Sequence, residues 1–489
     1  MDDLPQSLGI SDADWAHTPA SVQVIVRALV RVIHDLQAQQ KAQLTQIAAL
    51  QQEVADLRAR LAQYSGNSSK PPSSDPPSAP PRPPKTPRGR ARGGQPGHPG
   101  HHRPDPLPDQ VDEITDHHPT TCTQCAHPLI PTDATGVYQS RYVWDIPPIQ
   151  PHVTEHRLHQ AQCPDCQHVT SATAAGLPPG QFGARVIALL ALLHGRFRLS
   201  DREIVALGLA VFGLALCPAT VVAAQHQTSQ VLAPIYDELR QALPDQPHLH
   251  SDETSWKEAG ARRWLWVLVA PLVVVFHVAA NRSRAVLTRL IGTTYAGILS
   301  SDRLAAYNGH PADRRQLCWA HLLRNLLALS ERSGTRDAIW AVDMLAQVDL
   351  LFALWQCWRD GQIDRATLQA ALAPVQATMR LLIEREARQY GRAAALAQEL
   401  LTFWPALWTF VSAPDIEPTN NRAEQALRPA VLWRKGCFGA ASESGNQFVE
   451  RFLTVAATCQ AQERDLWTFL VTAIEHAWTN RPVPSLLPS

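Results

Sequence analysis

Between Val26 and Tyr64, apolar side chains recur at alternating steps of three and four. Heptad positions a are Val26, Ile33, Gln40, Ile47, Val54 and Leu61; positions d are Leu29, Leu36, Gln43, Leu50, Leu57 and Tyr64. β-Branched residues at a with Leu at d favour a parallel two-stranded coil, so this stretch predicts a zipper helix. Gln40 and Gln43 interrupt the seam, which weakens it and can fix its register. An amphipathic helix docked on its own chain is the competing reading. The periodicity then gives way to a Pro-, Gly-, Ser- and Arg-rich segment, Gly66 to Pro104, which cannot bury a core and predicts a disordered or polyproline linker.

Beyond the linker the texture changes repeatedly. Tyr142-Val143-Trp144 has strand character, and Gly180 to Leu243 predicts several helices broken by Gly and Pro, compatible with a helix-turn-helix-like module. Ile204 to Ala224 is nearly all apolar, but Gly208, Gly213 and Pro218 cut it, so a pair of short buried helices is favoured over a membrane span. Leu249–Thr254, Trp264–Ala270, Leu272–Ala279 and Gly297–Ser301 predict strands; the middle two are apolar enough to be covered on both faces. Ser283–Ile291, Leu317–Ser330, most of Asp337–Trp408, a stretch opening at Asn420 and the terminal Phe448–Trp478 predict helix.

A chain of 489 residues exceeds one compact core, so several domains are expected. The formal net charge is zero, but Ser65 to Pro104 holds seven cations against one anion, Asp75. That local arm suits phosphate tracking, or serves only as a solubilising spacer. Nine cysteines, four of them in two CxxC pairs, point to a reducing compartment and a metal site rather than a disulfide framework. The N-terminus has neither a basic nor an apolar signal region.

Three groups of residues carry candidate chemistry. Cys122, Cys125, Cys163 and Cys166 offer four thiolates for a closed, structural Zn²⁺ site, with His127 and His168 as substitutes or neighbours. Asp252 and Asp302 fall at predicted strand ends, and Glu424 in the first turn of a helix. Carboxylates so placed can converge on Mg²⁺ and support in-line phosphoryl displacement. Each has a plain alternative: a turn for Asp252, a helix cap for Asp302, a capping box for Glu424. His321 and Arg324 lie one helical turn apart, and Arg422, Arg428, Arg434 and Lys435 surround Glu424. All six suit phosphate contact or an ordinary polar surface.

Taken together, the zipper, the Gly66–Ser73 run, Gly94-Gln-Pro-Gly97, the double CxxC, HSDETSW, SDRLAAY, CWAHLLRN and TNNRAEQALRP resemble transposases of the insertion sequence 66 family, bacterial mobile elements. The resemblance spans nearly the whole chain. It implies a multidomain protein: an N-terminal coiled coil (1–64), basic linker (65–108), zinc ribbon module (109–170) and helical DNA-binding region (171–245). An α/β RNase H-like, retroviral integrase-like core would follow at 246–330, with a helical insertion (331–412), core completion (413–440) and a helical C-terminal region (441–489). Asp252, Asp302 and Glu424 match the family's Asp-Asp-Glu acids, which would hold two Mg²⁺ ions, or Mn²⁺. The implied partners are double-stranded DNA (element ends and target), further copies of the chain through the zipper, and accessory proteins of the same element; no membrane is involved. The implied location is the bacterial cytoplasm, at the nucleoid. The chain departs from the expected pattern at Arg303-Leu304, after the second acid, and at Gln425, after the third. A catalytically inert DNA-binding regulator and an RNase H-like nuclease or resolvase stay as alternatives.

Overall fold

The computed structural model describes residues 9–61, 103–174, 176–332 and 335–488. Tyr64 and most of the basic linker lie outside them. The N-terminal region is helical. Helix α1 (Asp12–His17) is capped by Ser11, whose hydroxyl accepts the Asp14 N–H at 3.2 Å. Helix α2 (Ala20–Leu61) runs 42 residues with no Pro or Gly inside it. Its seam residues Leu29, Ile33, Leu36, Ile47 and Leu50 are all at least half exposed in the single chain. Next come a short antiparallel pair, β1 (Gln160–Gln162) and β2 (Val169–Ser171). The expected strand at Tyr142–Trp144 is absent: that stretch is extended but unpaired, and the Trp144 ring packs under the Arg103 guanidinium at 4.7 Å.

Three helices follow: α3 (Ala184–Gly195), α4 (Asp201–Phe212) and α5 (Pro218–Gln241). Ser200 and Glu203 form a reciprocal capping box at the start of α4. The apolar run from Ile204 to Ala224 is thus two helices. Gly213, at φ 62°, ends the first, and Pro218, in the first turn of the second, opens it without losing a helical hydrogen bond.

The sheet begins with a meander of β3 (His248–Glu258), β4 (Ala261–Val269) and β5 (Val274–Ala279), all antiparallel. Ala259 and Gly260 both take positive φ, 47° and 82°, the two-residue turn whose twist matches its strands. Helix α6 (Arg284–Ile291) then crosses to β6 (Ile298–Ser301), parallel to β3. The order is β5-β4-β3-β6. Leu265 to Val269 is buried without a break, as expected for a strand covered on both faces, whereas Ala261 and Arg262 are exposed.

Next come β7 (Arg315–Leu317), α7 (Trp319–Ser330), α8 (Arg336–Arg359), α9 (Arg365–Ala387), α10 (Arg392–Thr402) and the short α11 (Thr409–Ser412). The chain closes with α12 (Asn421–Cys437), α13 (Glu443–Ala461) and α14 (Leu466–Trp478). Two expectations shift here. Helix α7 starts later than Leu317, which belongs to a strand. The terminal helix is two helices, because Glu463 turns at φ 56° and Asp465 caps a new one through the Thr468 N–H at 2.7 Å.

The chain divides into two units: one holds the described part of Met1–Pro81 with His310–Thr419, the other the described part of Arg82–Gly309 with Asn420–Ser489. In the first unit, α8 is long and apolar enough to cross a membrane, but Trp340, Met344, Val348 and Leu351 bury it against α7, α9 and α10.

In the second unit, α13 closes the free edge of β5. Val274 and Phe276 donate their N–H groups to the Thr458 and Thr454 hydroxyls at 3.1 and 2.9 Å, and Val278 donates to Glu450. The spacing explains the fit. Four helical residues rise about 6 Å and two strand residues about 6.6 Å, so side chains at i, i+4 and i+8 meet alternate strand amides. An otherwise open sheet edge is thereby satisfied. Helix α13 also meets α3 closely: a Cβ on Gly195 would sit 2.3 Å from the Phe452 ring, so only glycine fits there.

Candidate active site and metal centres

Strand β3 carries the site because its side chains alternate between two faces. One face, through His250, Asp252 and Thr254, meets helix α12. Asn420, fully buried at the start of that helix, donates from Nδ2 to the Ser251 carbonyl at 2.8 Å, and its Oδ1 lies 3.0 Å from His250 Nδ1. At the other end of the helix, Arg434 donates to the Thr254 hydroxyl at 3.0 Å and to the Ser255 hydroxyl at 2.6 Å. These two fastenings lay α12 along β3, with Glu424 one turn beyond Asn420. Asp302 follows β6 directly, and its Oδ1 accepts the Leu304 N–H at 2.8 Å, which makes a local turn rather than the cap of a long helix. Nor is Glu424 part of a capping box; Asn420 is the cap residue and makes no side-chain capping bond.

The neighbouring acids act on Asp252. Burial holds the Asp252 carboxyl well above the usual carboxylate range, and the charges of Glu253, Asp302 and Glu424 push it further the same way. The opposite face of β3 holds Ser251 and Glu253, and Tyr307 reaches both. Its hydroxyl donates to Glu253 Oε2 at 2.8 Å and lies 3.3 Å from Ser251 Oγ. Glu253 also faces Arg282 at 3.5 Å. Its carboxyl is pushed up to about 7 by burial and by Asp302, against the Tyr307 and Arg282 contacts. Burial and Arg422 lower His248 to about 4, and burial, His248 and Arg422 lower His250 to about 3, so both are neutral donors or acceptors near pH 7.

Sequence reasoning named Asp252 but passed over Glu253 and Tyr307. The only signal was that Glu253 adjoins the first acid; nothing local links it to Tyr307, 54 positions on. Of the basic candidates around Glu424, Arg434 is spent on β3, while Arg422, Arg428 and Lys435 are exposed. His321 and Arg324 belong to α7 in the other unit, where His321 is buried and Arg324 Nε donates to the Ala320 carbonyl at 3.3 Å.

The two CxxC pairs form twin knuckles. The Cys122 N–H donates to the His127 carbonyl and the Ala126 N–H to the Cys122 carbonyl, at 2.8 and 2.9 Å. The second pair repeats this with Cys163, His168 and Gln167, at 2.8 and 3.0 Å. Ala126 and Gln167 take matching positive φ of 58° and 57°. Backbone N–H groups of Cys125 and Gln124 hold the Cys122 thiol below its ordinary range, and those of Cys166 and Asp165 do the same for Cys163. Amides aimed at a sulfur favour the thiolate, the form that binds zinc, so the donor set fits Zn²⁺. Among the described residues, the thiol contacts run within each pair. His127 and His168 contribute backbone carbonyls.

Comparison with known proteins places these features. Residues 180–448 match the model described as Transposase IS66 family, and residues 119–167 match the zinc-finger binding domain of transposase IS66. Residues 17–104 match a family of unknown function. Two uncharacterized proteins of Sinorhizobium fredii are similar. One, y4hP, is 23% identical over 408 residues, covering 74% of this chain and 71% of that protein. The other, y4jD, is 24% identical over 316 residues, covering 57% and 60%. With more than half of its length matched, and with a zinc-finger domain in front of a helix-rich region built on a mixed sheet, the chain belongs to the IS66 family of transposases.

Proposed function

We propose that the protein cleaves DNA at the ends of its element and joins the freed 3′-hydroxyl to target DNA, with Asp252, Asp302 and Glu424 as the catalytic acids. The observation that carries this reading is the carboxylate crowding at Asp252, fed by Asp302 and Glu424 from two other elements. A buried acid raised by neighbouring acids in this way suits a divalent cation, because the ion relieves the repulsion at Asp252. Mg²⁺, as two ions, or Mn²⁺ fits the all-oxygen donor set. When bound, such ions activate the attacking oxygen and stabilise the leaving oxygen of an in-line displacement.

The chain's own residues hold that arrangement. The Asn420 and Arg434 contacts fix Glu424 against β3, and Tyr307 ties the segment after Asp302 to the back of the same strand. In the first step water attacks a phosphodiester and the P–O3′ bond breaks; in the second that 3′-hydroxyl attacks a target phosphorus, a new P–O bond forms, and the target's own P–O3′ bond breaks, releasing a target 3′-hydroxyl. Arg422, Arg428 and Lys435 serve as phosphate contacts, as do His321 and Arg324. The antiparallel meander with a parallel fourth strand supports an RNase H-like core, in which the first acid lies on the central strand. The segments proposed from the sequence then take their roles. The α2 zipper pairs protomers so that both element ends meet in one complex. The zinc module at 109–170 and the helices at 171–245 hold end DNA, and 331–412 is an insertion in the core. Accessory proteins of the element act as further partners.

Substituting Asp252→Ala tests the assignment. Cleavage and strand transfer fall by at least about 10³-fold, as expected when a group that acts in the transition state is removed, while end binding persists. Undiminished strand transfer would remove Asp252 from the mechanism.

A further inference from the structure

The back face of the β3–β4 hairpin, on the Glu253 side, carries a second charged surface. Cross-strand register puts Lys257 opposite Arg262, Ser255 opposite Trp264 and Glu253 opposite Trp266, so these residues share the face that Tyr307 lies on. Toward the hairpin turn this face is open: Ser255, Lys257 and Arg262 are exposed and Trp264 is half-buried. Arg282, exposed after β5, joins them. Its guanidinium lies 4.4 Å from the Trp264 ring centroid, and that of Arg262 lies 4.9 Å from it.

The two faces of this hairpin treat cations differently. On the far face Arg263 is neutralised by Glu258 at 3.0 Å. On the near face Lys257 and Arg262 are directly opposed like charges, an arrangement that destabilises a strand pair. Among the described residues, neither makes an ion pair. The acid on this face, Glu253, has a side chain only 5% exposed and lies 3.5 Å from Arg282, beneath the surface rather than on it. Stacking on an indole holds a guanidinium flat and leaves its N–H edge free for an acceptor. A preorganised cluster in which Lys257 and Arg262 make no ion pair and Arg282 meets a buried carboxylate, on the hairpin that bears Asp252, calls for a polyanion.

We propose that Lys257, Arg262, Trp264 and Arg282 form a backbone-binding platform for DNA, gripping duplex phosphates on the face of the hairpin opposite Asp252. The proposal rests on the transposase reading above. Arg262 and Arg282 supply bidentate phosphate contacts, Trp264 orders them, and Lys257 adds a point charge. The grip is indifferent to sequence, because phosphates carry none.

The test is binding of the full-length protein to duplex DNA of the element's end, measured against salt concentration. For Arg262→Ala/Arg282→Ala, affinity is expected to fall about 10-fold or more, and the slope of log K against log salt to shrink by about 2, near 0.9 per lost phosphate contact. Trp264→Leu, which keeps both charges but frees them, gives a smaller loss of affinity with a nearly unchanged slope. Melting temperatures within a few degrees of wild type show that these variants are folded. Wild-type binding with a slope untouched by the double substitution overturns the platform while leaving the transposase reading in place. A wild-type protein that does not bind the duplex overturns both.

Discussion

The acid cluster and the zinc knuckles are both candidate metal centres, yet they stand on opposite kinds of support. Asp252 lies on a central strand whose neighbours Leu265, Val267 and Phe276 are fully or almost fully buried, and helix α12 is pinned over it at both ends. The charges of Asp302 and Glu424 reach the buried Asp252 carboxyl from two other elements. Around the knuckles the reverse holds. Almost every residue from 103 to 174 is exposed, including Tyr138, Val143, Ile146 and Val153, and its regular elements are two three-residue strands and two three-residue 3₁₀ turns. There is no core there to hold four cysteines in place. One candidate centre sits on an ordered framework; the other has almost no framework of its own.

Removing metal sharpens that contrast most. Stripping Zn²⁺ with a chelator, or substituting Cys163→Ser, should unfold the 109–170 module, since structural zinc contributes about 10–16 kcal/mol in small modules. The same treatment should leave the melting of the β3–β6 sheet within a few degrees. Hydrogen exchange resolved by segment checks both halves of this expectation. Equal loss of protection in β3–β5 would erase the distinction.

A second prediction concerns the acids without metal. Asp252 and Glu253 titrate above their unfolded values, so the stability tied to them is complete below about pH 4 and drains away as pH rises toward the folded values, about 7 for Glu253. Metal-free protein should therefore lose stability between about pH 4 and 7, and Asp252→Asn should flatten that decline and melt higher at pH 7. Added Mg²⁺ should raise the melting temperature of the wild type and not of the variant. Denaturation scans across pH give the answer; a variant that melts lower at pH 7 would show that the acids do not repel.

The smallest effect is at the clamp behind the strand. Tyr307→Phe keeps the ring in its buried site and removes the hydroxyl that Glu253 and Ser251 share. A cost of about 1–3 kcal/mol in denaturant unfolding is expected for a buried acceptor left unsatisfied. Because such supporting contacts orient a metal's ligands, Mn²⁺ affinity should also fall, by about 10-fold or more. Unchanged affinity would leave Tyr307 a packing residue only.

Much of this was legible in the sequence, and the parts that were not share a cause. Alternation and apolar runs mark β3 to β6, because sheet burial imprints directly on the residue pattern, whereas the three-residue strands β1, β2 and β7 are too short to leave one. Gly213 and Pro218 marked the break in the apolar stretch that follows Ile204. The acids stood out as Asp and Glu at predicted element ends, and the CxxC pairs as ligands at fixed spacing. The sequence pattern ends β3 at Thr254, four residues short, because Ser255-Trp256-Lys257-Glu258 lacks the apolar alternation of a buried strand; it is held by its hairpin partner. Tyr142–Trp144 reads as strand by propensity, but no partner strand is near enough to pair it. The Tyr307–Glu253 bond and the Arg262–Trp264–Arg282 stack are products of register and chain crossing, which no local pattern records.

The central claim is that Asp252, Asp302 and Glu424 jointly hold divalent metal. Mn²⁺ binding followed by electron paramagnetic resonance, on the full chain bound to its own terminal DNA, addresses it directly. The account predicts tight Mn²⁺ sites in the wild type, lost or weakened at least about 10-fold in each of Asp252→Asn, Asp302→Asn and Glu424→Gln. Wild-type stoichiometry and affinity in all three variants would contradict it.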